Sequence, residues 1–153
     1  MKKLMLLCSM LVLCVTACKK DNSAKTAAEQ AAADDAQIQA YISANKITAI
    51  KDPSGVYYQI VTPGTGSYPT LSSVYNVNYK GEFITGGVFD SGTLSNFTLD
   101  GVIQGWQIGV PKINQGGRIK LMIPSALAYG PSGRGTIPGN AVLVFTIDLL
   151  SFR

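Results

Sequence analysis

Phe89-Asp90, the pair Val102-Ile103 with Trp106 close behind it, and Tyr129 within Ala128-Tyr129-Gly130 are the residues best equipped to do chemistry in this chain. Trp106 is the only tryptophan. An indole flanked by aliphatic side chains makes a good pocket floor, because it offers apolar area with few rotamers to lose. Phe89 and Asp90 place an apolar wall beside a carboxylate, and Tyr129 adds a ring with a hydroxyl tip in a loop containing glycine. Taken singly, each is an ordinary core aromatic. What the chain lacks narrows the chemistry further. It has no histidine, which excludes a histidine general acid, a serine–histidine–aspartate triad and a histidine metal site. Its three cysteines, Cys8, Cys14 and Cys18, all precede residue 19, so the remainder carries neither a disulfide nor a thiol nucleophile. No metal or cofactor is expected. Lys19-Lys20 is the only basic cluster beyond the extreme N-terminus, and the formal charge is only +4, which argues against a nucleic-acid groove.

These residues need elements to hold them, and the pattern supplies mostly strands. Asp52-Pro53-Ser54-Gly55 is a turn, after which Val56 to Thr62 is rich in β-branched and aromatic residues and stops at Pro63-Gly64-Thr65-Gly66. Val74 to Lys80 alternates, with Tyr75, Val77 and Tyr79 on one face, as a half-buried antiparallel strand does. Glu82-Phe83-Ile84, a turn at Thr85-Gly86-Gly87 and Val88-Phe89-Asp90 read as a hairpin arm and its return. Gly105 to about Val110 forms a short helix ended by Pro111. Arg118 to Ile123 alternates with Ile119, Leu121 and Ile123 inward. The closing run Ala141 to Phe152 is nearly all apolar, which places it mid-sheet. An antiparallel sheet curled around one short helix, α+β in class, is the simplest packing of these parts.

The N-terminal segment is of another kind. Lys2-Lys3, the apolar run Leu4 to Val15, and Thr16-Ala17-Cys18 have the pattern of a secretory signal peptide over residues 1–17, too short for a comfortable permanent span. Val15-Thr16-Ala17-Cys18 also looks like a bacterial lipobox, with Cys18 as the lipidated first mature residue; the plainer alternative is a cleaved signal with an incidental cysteine. Several acyl chains, at about 0.8 kcal/mol per buried methylene, would hold such a protein on a membrane. Residues 18–33, polar and alanine-rich, read as a flexible tether. Residues 34–54 read as a short helix and turn, with Asp34-Asp35 capping its start and Ile38, Tyr41 and Ile42 forming one apolar face. That face either packs on the domain or pairs with a second copy; its shortness favours packing and a monomer.

From Gly55 to Phe152, Gly87-Val88-Phe89-Asp90-Ser91, Val102-Ile103-Gln104-Gly105-Trp106 and Ala128-Tyr129-Gly130, in this order and spacing, resemble the FKBP-type peptidyl-prolyl isomerases. The resemblance implies that residues 55–153 form an isomerase domain in which Trp106 is the floor under a substrate proline and Tyr79, Phe89, Val102, Ile103 and Phe145 are walls. It further implies that the Ile103 amide and the Tyr129 hydroxyl donate to substrate carbonyls, and that Asp90 orients neighbours at the rim or simply ties down its loop. Ile137 would close over the pocket, and Phe97 would be either a wall or a core ring. The resemblance implies macrolides such as rapamycin as inhibitors, and the Pro131-to-Thr136 loop, which bears on macrolide affinity and on sequence preference, departs from familiar members. The implied ligands are proline-containing polypeptides of the cell envelope, with the chain lipid-anchored at the outer membrane and facing the periplasm. The competing reading is a catalytically weak peptide-binding or chaperone module on the membrane surface.

Overall fold

The structure is a computed structural model and describes residues 25–153. The expected leader, Cys18 and the first part of the expected tether lie outside the described residues. Six antiparallel strands form one sheet in the order β1-β2-β5-β6-β3-β4: β1 (Ile50–Lys51), β2 (Tyr57–Thr62), β3 (Tyr75–Phe83), β4 (Val88–Phe97), β5 (Arg118–Ile123) and β6 (Leu143–Phe152). The apolar β6 lies between β5 and β3, where both of its faces are covered. Leu143, Phe145, Ile147 and Leu149 point into the front core with Ile119, Leu121 and Ile123 of β5. The alternate residues Val144 and Met122 point to the rear, against Ile38, Tyr57 and Val142. A period of two thus distributes one strand's apolar residues between two cores.

The front core is closed by α2 (Gln104–Gly109), which runs into a 3-10 turn at Val110–Lys112 where Pro111 ends it. Two glycines let this short helix lie directly on β5. A Cβ on Gly105 would come within 2.4 Å of Ile123, and one on Gly109 within 2.4 Å of Leu121. Spaced by four, they lie on one side of the helix, and Trp106 projects from beside that seat.

The rear is covered by α1, which corrects the expected start of the helix and the extent of the tether. The helix runs Ala27–Ala44, with Thr26 as N-cap. Thr26 and Glu29 form a reciprocal capping box, the Glu29 amide donating to Thr26 Oγ1 at 3.2 Å and the Thr26 amide to Glu29 Oε2 at 2.8 Å. Residues 27–33 are therefore helix rather than tether. Alanine has the highest helix propensity but leaves little apolar stripe to read. Asp34 does not cap; it is buried in the middle of α1. Ile38 is fully buried in the rear core, with Tyr41 and Ile42 packed around it, so α1 lies on its own domain. Asp35 anchors the other side, accepting from the Tyr57 hydroxyl at 2.8 Å and pairing with Lys51 at 2.6 Å.

The β3–β4 hairpin turns through Gly86 and Gly87 at φ of +101° and +91°, a conformation that side-chain-bearing residues resist. Beyond it β4 continues to Phe97, well past the expected return at Asp90, as an edge strand whose polar residues face solvent. Register slips between Gly81 and Glu82, which pair with Asp90 and Val88, leaving Phe89 as the extra residue of a β-bulge.

Candidate functional site

Four elements bring one aromatic ring each to a common hollow. Trp106, 3% exposed, comes from the first turn of α2; Tyr79 from β3; Phe89 from the β4 bulge; and Phe145 from β6. Tyr79 meets the indole at 5.4 Å between ring centroids and 73°, and Phe145 meets it at 5.3 Å and 89°. Phe89 stands edge-on to Phe145 at 5.6 Å and 87°. Edge-to-face pairs of this kind are worth about 0.5–1.5 kcal/mol each beyond the area they bury. They fix the rings without filling the space between them, and a cavity of about 400 Å³ remains, open to solvent. Gly81 makes this possible from behind. A Cβ there would lie 2.5 Å from Phe89 and 2.9 Å from Phe145, so only glycine lets both rings sit where they do.

The far wall is the extended segment between a 3-10 turn at Leu99–Gly101 and α2. Val102 and Ile103 line the cavity there. The Ile103 carbonyl accepts the Trp106 and Gln107 amides at 3.0 and 3.3 Å, and the Gln107 side chain donates to the Val102 carbonyl at 3.0 Å. The Ile103 N–H finds no acceptor among the described residues and stands at the cavity wall. Nor does the Trp106 indole N–H, although it is buried.

The rim is polar. The Tyr79 hydroxyl donates to Asp90 Oδ2 at 2.8 Å. Burial, with the Asp90 carboxylate adding to it, pushes the Tyr79 phenol up to about 12, so it stays a donor. Tyr129 sits between 3-10 turns at Ser125–Leu127 and Gly130–Ser132. Its hydroxyl has no partner among the described residues, and the Arg134 guanidinium lies 5.7 Å from its ring centroid.

The cavity thus brings together Tyr79, Phe89, Asp90, Val102, Ile103, Trp106, Tyr129 and Phe145. Ile137 stands apart. It is buried and lines an adjoining hollow that shares Tyr79, Phe89, Tyr129 and Arg134 with the main one. Phe97 packs, partly buried, on Tyr75 at 5.8 Å and near Trp106 at 6.2 Å without lining either space. Leu94, Asp100 and Arg134 line the cavity and were not foreseen. Simple alternation puts Leu94 on the opposite face from Phe89, and only the bulge reconciles them. No sequence signal marked Arg134 beyond its being the one charge in a glycine-rich loop.

Nothing in this site resembles a nucleophile with its base, and among the described residues no three potential ligands cluster for a metal. The arrangement can take up an apolar ring, strip water from the groups beside it and offer two N–H or O–H donors.

Comparison with known proteins agrees. Residues 66–150 match the family model described as FKBP-type peptidyl-prolyl cis-trans isomerase. The chain is 46% identical over 104 residues to the FKBP-type peptidyl-prolyl cis-trans isomerase FkpA of Escherichia coli strain K12, covering 65% of this chain and 38% of that protein. Against the outer membrane protein MIP of Legionella longbeachae it is 37% identical over 145 residues, covering 88% of this chain and 62% of that one. The crystal structure of FkpA from Escherichia coli superposes with a TM-score of 0.71 at 40% identity, over 82% of this chain and 62% of that chain. A peptidyl-prolyl cis-trans isomerase from Pseudomonas syringae pv. tomato gives 0.68 at 29% identity, over 85% and 98%. The chain spans less than two thirds of the length of the curated relatives it matches. On the matched span and the fold it accompanies, the chain belongs to the FKBP-type peptidyl-prolyl cis-trans isomerase family.

Proposed function

We propose that this chain is a peptidyl-prolyl cis-trans isomerase acting on proline-containing polypeptides of the bacterial envelope. The barrier to rotation about an X-Pro bond, about 18–20 kcal/mol, comes from amide resonance. No bond has to break to lower it. A dry aromatic cup suffices, provided it fits the twisted amide better than either planar form. The twisted amide has a less polar carbonyl, so it sheds water more cheaply. With the proline ring on Trp106 between Tyr79, Phe89 and Phe145, and with Val102 beside it, the Ile103 N–H and Tyr129 hydroxyl hold the flanking carbonyls. Asp90 keeps the Tyr79 ring in place. Ile137 guards the adjoining hollow, where residues beyond the proline run.

The observation that carries this reading is the convergence of Trp106, Tyr79, Phe145 and Phe89 on one solvent-reachable cavity with two unused donors at its wall. A protease-coupled assay on Xaa-Pro-Phe peptides tests it. Acceleration of the cis-to-trans phase, suppressed by a macrolide such as rapamycin, is expected; no acceleration by the folded protein overturns the reading.

The setting we propose is a monomer anchored through a lipidated Cys18 to the outer membrane and facing the periplasm, in keeping with the name of the outer membrane protein MIP among its relatives. Cys18→Ser is expected to move the protein from the membrane to the soluble fraction. Unchanged fractionation removes the anchor from the proposal and leaves the isomerase intact.

A further inference from the structure

We propose that Asp34, on α1 and outside the pocket, is a positioning residue for Tyr129, which makes the rear helix part of the isomerase machinery; this rests on the isomerase reading above. Asp34 is 1% exposed. Its Oδ2 accepts the Ser125 N–H at 2.8 Å and the Ser125 hydroxyl at 2.6 Å, and its Oδ1 accepts the Gln30 side-chain amide at 2.6 Å. No basic side chain pairs with it among the described residues. A buried carboxylate is tolerated only when its oxygens are hydrogen-bonded. The bonds therefore hold only while helix and loop keep one relative placement.

That placement passes along a short covalent path to the pocket. Ser125 opens the 3-10 turn in which Leu127 N donates to the Pro124 carbonyl and Ala128 N to the Ser125 carbonyl, both at 3.0 Å. Tyr129 is the next residue. On its other side Asn140 N donates to the Gly130 carbonyl at 2.8 Å, a contact within the same loop region. Beside the packing of Leu127, Ala128 and Tyr129 on the front core, Asp34 is thus a hydrogen-bonded tie from the Tyr129 turn to a different element of the fold. The Tyr129 hydroxyl is one of two donors aimed at substrate, and a misplacement of about 1 Å in such a group can cost as much as 100-fold in rate.

The experiment uses the chain with α1 in place. Asp34→Ala, folded by circular dichroism, is expected to lose roughly fivefold in kcat/KM, with the amide resonances of Ala128, Tyr129 and Gly130 displaced or broadened. Asp34→Asn restores most of the activity, because it keeps an oxygen for Ser125 and, with the Gln30 amide turned over, a donor for Gln30. In a Tyr129→Phe background the Asp34→Ala loss shrinks toward none, since the hydroxyl it positions is gone. Asp35→Ala, on the adjacent residue but tied to Lys51 and Tyr57, lowers melting temperature without changing kcat/KM. If Asp34→Ala does not fold, Ser125→Ala replaces it, removing one of the two Ser125 donors, with a loss of roughly twofold. A folded variant with parental kcat/KM and unmoved Tyr129 signals overturns the proposal, as does full additivity with Tyr129→Phe. An inactive parent would instead overturn the isomerase reading, and the resonance shifts would still decide whether Asp34 places Tyr129.

Discussion

The Tyr79 hydroxyl donates to Asp90 Oδ2 at 2.8 Å across the β3–β4 ladder, where Tyr79 pairs with Gly92 and Asp90 with Gly81. The bond runs diagonally and turns the Tyr79 ring edge-on to Trp106. On the proposed reading, Asp90 would act on a ligand through that ring. Tyr79→Phe and Asp90→Ala should each lower kcat/KM by a few fold, with a coupling of about 1 kcal/mol in the double variant. Strict additivity would mean that Asp90 acts independently of Tyr79.

Gly81 is a glycine on which two of the cup's rings depend. Gly81→Ala pushes against the tips of both Phe89 and Phe145, and the rings can yield only into the cavity or the core. Overpacking of this sort costs about 1–3 kcal/mol. The fold should survive while macrolide and peptide affinity fall sharply. Titration followed by Trp106 fluorescence reports both, and undiminished affinity would show that the cavity does not hold the ligand.

Trp106→Ala removes the floor and should cost about 3–5 kcal/mol, as large-to-small core changes do. Trp106→Phe should be far milder, because the indole N–H it deletes has no partner among the described residues. Denaturant melts of the two variants separate the effects; a Phe variant as unstable as the Ala variant would reveal a bond that the indole makes.

The extremes of pH should act through identifiable groups. Tyr75 and Tyr79 are pushed up to about 12, burial being the chief cause in both, against an ordinary value near 10. Their contribution is fully present below pH 10 and is lost as pH rises through 12, since the unfolded chain releases those protons first. In the opposite direction, the Lys112 ammonium at 2.8 Å, with the N–H and hydroxyl of Ser54, holds Asp52 down at about 2. That contribution is present above about pH 4 and is lost as pH falls through 2. Asp52→Asn should therefore cost about 1–2 kcal/mol at pH 7 and much less at pH 2, where about half the carboxylates are protonated. Melting temperatures across both ranges check the pair of signs.

Alternation in Val74 to Lys80 and Arg118 to Ile123, and the unbroken apolar run of β6, made the sheet and its central strand legible. The fixed motifs around Phe89, Trp106 and Tyr129 did the same for most of the cup. What stayed hidden depended on neighbours distant in sequence. The β-bulge that turns Phe89 and Leu94 toward the same space is a property of pairing with β3. Phe97 was ambiguous because both alternatives ask for a buried ring. The start of α1 was written in Thr26 and Glu29, but its alanines give no stripe. Asp34 resembled a cap until Ser125, 91 residues away, came beside it.

The seat of α2 on β5 has a consequence for selection. With Gly105 and Gly109 seated against Ile123 and Leu121, the helix that carries the indole has no room to move closer to β5. On the proposed reading, ligands would be sieved by ring size at the bottom, before any polar group is consulted. On the same reading, discrimination among chains that pass this gauge would fall to the loop bearing Tyr129 and Arg134, at the rim of the cavity.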